Sequence, residues 1–101
     1  MPVVKSTMNE IFHIREKSKF AFIAKKILRS DSAAIVIGKI IYLHGVSKES
    51  FLADKRWLKH ELCHIRQFQQ HGFFRFLFLY MVESLKRGYH NNRFEIEARD
   101  A

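Results

Sequence analysis

The chain has 101 residues, with 18 Lys and Arg against 10 Asp and Glu, a formal net charge of +8 and a pI near 9.9. That length fits a single domain with one core, and a hydrophobic share of 48% excludes a disordered chain. One cysteine, Cys63, excludes an internal disulfide and fits a reducing compartment, and no apolar run reaches the roughly 18 residues that a membrane span needs.

In chain order, residues 1–32 read as a helical or irregular N-terminal part. The first eight lack a basic end followed by an apolar run, so no leader is expected and the expected location is cytoplasmic. Ile11, Phe12 and Ile14 are apolar, residues 18–29 have helical spacing, and Ser30-Asp31-Ser32 breaks it. Residues 33–43 (AAIVIGKIIYL) are rich in Ile and Val and predict strand, interrupted at Gly38 by a bulge or tight turn. His44-Gly45-Val46-Ser47 predicts a loop, and Ser47 or Ser50 caps a helix over about 50–70 that Gly72 ends.

Leu58, Leu62 and Ile65 form one apolar stripe of that helix, while Trp57, His60, His64 and Phe68 fall on another side. A helix wanted on both sides is buried between layers. Residues 73–86 predict a second, strongly apolar helix stopped at Gly88; it reads first as core and second as a membrane-surface element. Asn91 or Asn92 then caps a last helix holding Glu95, Glu97 and Asp100. The fold class expected is α+β: a short strand or hairpin over 33–44 packed on a central helix with further helices, residues 33–101 forming the functional core.

The central helix carries His60-Glu61-Leu62-Cys63-His64, the HExxH pattern. On a helix, residues four apart lie one above the other, so two imidazoles converge on one metal ion. Glu61, between them, is placed to take a proton from a metal-bound water. Catalytic zinc takes three protein ligands and keeps a fourth position open, so a third ligand must come from elsewhere. His71 shares the helical face but stands ~10 Å along the axis from His64, too far to share an ion, and reads as a helix-end histidine. Glu95 lies 31 residues past His64, with a whole helix between to bring it back. With Asn92 as cap it is either the third ligand or the acid of a capping box. Glu97 is the reserve ligand.

Asp100 is a candidate to orient a ligand histidine, and Tyr89 and His90 are candidate donors to an oxyanion. Cys63 reads as a small buried apolar residue.

The stretch from Leu58 to Gln67 (LKHELCHIRQ) resembles the active-site helix of small bacterial zincin-like domains, many of which read L-x-H-E-x-x-H-x-x-Q. Residues 92–98 (NRFEIEA) are similar to the glutamate helix of the gluzincin branch of zinc metallopeptidases, and residues 33–43 to the strand that enters the active-site helix. The resemblance covers about 33–101. It implies Glu95 as ligand, Glu61 as general base, and extended peptide added to the strand over 35–43.

The function expected is zinc-dependent hydrolysis of peptide bonds in a peptide or protein substrate. The alternative is a zinc-stabilised or basic binding module that docks to nucleic acid, an anionic membrane or a protein partner, including a subunit that completes the cleft. A salt-sensitive affinity for polyanions would mark that alternative.

Overall fold

The computed structural model describes residues 3–5 and 11–101, with side chains from Phe12 onward. Of the segment read above for a leader, only 3–5 are among them. In chain order the elements are β1 (Val3–Lys5), β2 (Ile11–Arg15), α1 (Lys19–Leu28), β3 (Ala33–Ile37), β4 (Ile40–His44), α2 (Lys48–Ala53), α3 (Lys55–His71), α4 (Phe73–Arg87) and α5 (Arg93–Arg99).

The β-branched residues on either side of Gly38 form a hairpin, β3 and β4 running antiparallel with Val36 opposite Ile41. Gly38 turns it with a φ of +66°, which an L side chain rarely adopts. The hairpin belongs to a larger sheet of order β1-β2-β4-β3, in which β2 runs parallel to β4 and antiparallel to β1. Residues 11–15 therefore depart from the helical or irregular expectation, whereas the helical spacing read over 18–29 is α1. Phe12 and Ile14, two apart, both face the core, and His13 and Arg15 alternate with them. Period two, not helical spacing, governs that stretch.

The sheet buries Phe12, Ile14, Ile41 and Leu43 on one face, in one cluster with Phe51 of α2 and Leu62, Ile65 and Phe68 of α3. Tyr42 and His44 alternate with these residues and meet α1 on the opposite face. There Ala21 is fully buried, and Phe20 and Phe22 on either side lean edge-on against Tyr42 and His44. Ser18 caps α1, its hydroxyl accepting from the amides of Phe20 and Ala21. Gly45 closes the sheet against the loop before β3. A Cβ built there would stand 2.2 Å from the Asp31 carbonyl oxygen, so no larger residue fits.

The helix expected over 50–70 is two helices. Asp54 ends α2, its amide donating back to Ser50 and Phe51, and its carboxylate starts α3 by accepting from the Trp57 amide. The α4 helix runs from Phe73 to Arg87 and stops at Gly88 as predicted. No helix among the described residues is long and apolar enough to cross a membrane. The chain is thus α+β, with α3 between the sheet edge at β3 and the pair α4 and α5.

Candidate metal centre

The central turns of α3 place His60 and His64 one above the other, their ring centroids 5.1 Å apart. Glu95 reaches them from α5, and the sequence near Asn92 sets its position. Asn92 is fully buried; its Oδ1 accepts from the Phe94 amide at 2.9 Å, capping α5. Its Nδ2 donates to the Tyr80 carbonyl at 3.1 Å and to Ser84 Oγ at 2.9 Å, pinning the start of α5 to α4. Phe94 then enters the core against Phe76, and the next side chain, Glu95, points at α3. The cap is made by Asn92 without help from Glu95, whose carboxylate is spent on the histidines.

Glu95 Oε1 stands 3.1 Å from His60 Nε2, and Oε2 stands 3.2 Å from His64 Nε2. One donor atom from each of the three residues lies within 4.8 Å of the others. Three ligands on a tetrahedral zinc with bonds near 2.0–2.1 Å stand roughly 3.3 Å apart, a spacing close to the two contacts between Glu95 and the histidines. Burial opposes charge on Glu95, yet the hydrogen bonds and charges of His60 and His64 outweigh it and hold the carboxyl far below its usual range. Burial likewise opposes charge on His64, but Glu95 and Glu61 carry its pKa upward.

Hydrogen bonding sharpens the demand for positive charge. Gln67 is 1% exposed, and its Nε2 donates to the Phe94 carbonyl at 3.1 Å and to Glu97 Oε1 at 2.6 Å. Those acceptors fix the amide, so Gln67 Oε1 faces His64 Nδ1 at 2.8 Å and accepts its proton. His64 then donates at Nδ1 while Nε2 faces a carboxylate, another acceptor. A neutral imidazole cannot serve both partners. The Nε2 side calls for a second proton or a metal cation.

Glu61 lies between the two histidines in sequence and does not join the cluster of ligand atoms. Its Oε2 accepts from Trp57 Nε1 at 3.1 Å. Burial pushes its pKa up to about 7, against the pull of His64 and His60. Tyr80, on α4, donates its hydroxyl to Glu95 Oε2, and burial with the Glu95 charge pushes its pKa far upward. Tyr89 lines the same opening, its phenol pushed up to about 12 by burial and by Glu95. A cleft of about 280 Å³ joins these groups, with β3 from Ala34 to Ile37 along one side and Leu28, Phe76 and Leu77 on the others.

The structure brings together His60, Glu61, His64, Glu95 and Tyr89, and it separates the remaining candidates from them. Glu97, the reserve ligand, faces the other side of α3, accepting from Gln67 and from the Cys63 thiol at 3.8 Å. Asp100 is the exposed C-cap of α5 and shares a separate polar pocket with Glu97 and Gln67, and the residue that orients His64 is Gln67. His90 is exposed outside the cleft, its carbonyl accepting from Arg99. His71 ends α3 stacked on Phe76, as a helix-end histidine. Gln67 and Tyr80 were missed as site residues. Gln67 had a signal, three positions after His64 on the same helix; Tyr80 had none, since only the fold of α4 onto α5 reveals it.

No family model matches the chain, and neither does any curated protein or solved structure among those compared.

Proposed function

We propose that the chain hydrolyses peptide bonds with a metal ion, zinc in the first instance, held by His60, His64 and Glu95. The observation that carries the proposal is the convergence of two histidine Nε2 atoms on one buried carboxylate, with a carboxyl poised near neutrality beside them. Bound there, zinc would polarise a carbonyl and lower the pKa of a water.

The chain's own groups do the rest. Glu61, buried beside the histidines, accepts a proton from the attacking water and returns it to the leaving amine. Trp57 holds one carboxylate oxygen of Glu61 and so fixes its direction. Tyr89 keeps its proton across the working range and can donate to a developing oxyanion, while Tyr80 holds Glu95 in place with its hydroxyl. β3 is the edge strand of the sheet and lines the cleft, so its outward amides and carbonyls can pair with an extended peptide; β4, also in the predicted binding stretch, is interior and already paired on both sides.

Glu61→Gln tests the assignment. It should keep the metal and lower peptide turnover by roughly 10²–10⁴-fold, the usual contribution of a general base. Full metal content with turnover unchanged would remove Glu61 from the chemistry. Full metal content with no turnover in the parent chain would leave a metal-stabilised binding domain.

A further inference from the structure

Two helices present apolar side chains to solvent. On α4, Phe74, Phe78, Met81 and Leu85 follow one another at intervals of four, three and four, which is one continuous stripe. Phe74 and Leu85 are each 82% exposed and Phe78 67%. On α1, Phe20, Ile23 and Ile27 form a second stripe, and Ile27 is 74% exposed. Leu28 of α1 and Leu77 of α4, both exposed, line the same cleft, so the two helices border one opening. An uncovered apolar surface of this extent marks an interaction site.

The charges beside the stripes select the partner. Lys19, Lys25 and Lys26 lie on α1 and Arg29 caps it; Arg75, Lys86 and Arg87 lie on α4. The only acid on either helix is Glu83, which is engaged by the Arg93 amide and by Arg87. These two helices thus hold most of the chain's excess of +8. We propose that the exposed faces of α1 and α4 dock the domain on an anionic lipid bilayer, with the phenylalanines and aliphatic side chains entering the headgroup boundary and the lysines and arginines meeting lipid phosphates. Helices with an apolar face rimmed by Lys and Arg bind such membranes by both contributions. A second copy of the chain would set like charges against each other. A nucleic acid would satisfy the cations and leave the stripes wet. Docking of this kind places the mouth of the cleft beside the membrane surface, and it stands whether or not the metal reading holds.

The test is sedimentation of the full chain with phosphatidylcholine vesicles, with and without phosphatidylglycerol. Strong binding to the anionic vesicles only is the expected result. Phe74→Ser/Phe78→Ser should lower the partition coefficient by roughly 100-fold, two buried phenylalanines being lost. Lys26→Gln/Arg75→Gln should lower it by roughly 30-fold, at about 1 kcal/mol per cation near a charged surface. Circular dichroism checks that each variant is folded, and Leu85→Ser carries the same test should the double variant not fold. Equal binding to both vesicle types, or no binding at low salt, overturns the proposal. So does a dimer in solution that Phe74→Ser/Phe78→Ser dissociates while vesicles take up none of the parent chain, and so does capture by an acidic helical peptide or an RNA with none by vesicles.

Discussion

At the scale of single residues, the centre is a contest between burial and charge, and pH resolves it. In the metal-free chain Glu61 has a folded pKa of about 7 against an ordinary 4.5. A carboxyl raised in this way keeps its proton in the folded state while the unfolded chain has lost it, so stability falls as pH rises from 4.5 to 7. The loss amounts to roughly 3 kcal/mol at 1.36 kcal/mol per unit. Glu95 is shifted the opposite way, so its contribution is present above 4.5 and is lost as pH falls below it. His64, raised, contributes below its ordinary 6.5 and loses that contribution as pH rises through its folded value. The metal-free chain should therefore be most stable near pH 5, and urea titrations of Glu61→Gln should show most of the decline toward pH 8 removed. An unchanged decline would mean that Glu61 is hydrated. Gln67 offers a second test at this scale. By fixing the His64 proton at Nδ1 it leaves Nε2 to face a cation, so Gln67→Ala should weaken zinc binding by roughly 10–100-fold, measured by competition with a chelator, while the helix content stays constant.

At the scale of elements, the site depends on how α5 is tied to α4. Asn92 makes three hydrogen bonds from full burial, and removing them uncaps the Phe94 amide and cuts the ties from α5 to the Tyr80 carbonyl and the Ser84 hydroxyl. Asn92→Ala should cost roughly 2–4 kcal/mol in a denaturant titration and lower zinc affinity with it, because Glu95 rides on the same turn. A loss of stability with zinc affinity intact would separate the cap from the site. The elements that were legible in sequence were those whose signals are local. Gly38 between two Ile-rich runs gave the hairpin, Gly72 and Gly88 gave the helix ends, and HExxH spacing gave the shared face of His60 and His64. The split at Asp54 was missed because no Gly or Pro marks it, although an Asp three residues before Trp57 is a cap signal in its own right. β2 was missed because its pairing with β4 is parallel and distant in sequence, and five residues with two inward side chains give period two little room to stand out.

At the scale of the whole molecule, the fold serves to bring a glutamate on the last helix against two histidines on the central one, with an edge strand beside them. Sequence could name Glu95 and Glu97 as rivals, but choosing between them needed the direction in which α5 crosses α3. Two positions of helix turn the carboxylate of Glu97 to Gln67 and Cys63, and that of Glu95 to the histidines. Asp100 and His90 fell away for the same reason, since their distance from the centre is a property of the crossing and not of local pattern. A ligand that bridges α3 and α5 should also stabilise the fold; at a free concentration 100-fold above its dissociation constant, zinc adds about 2.7 kcal/mol. Calorimetric titration of zinc into the metal-free chain and into His60→Ala, His64→Ala and Glu95→Ala, each checked for fold, tests whether the three residues share an ion. One zinc per chain, with binding lost or weakened by orders of magnitude in all three variants, is the result predicted. No zinc uptake by the parent chain, or uptake that survives in Glu95→Ala, would contradict a zinc held by His60, His64 and Glu95.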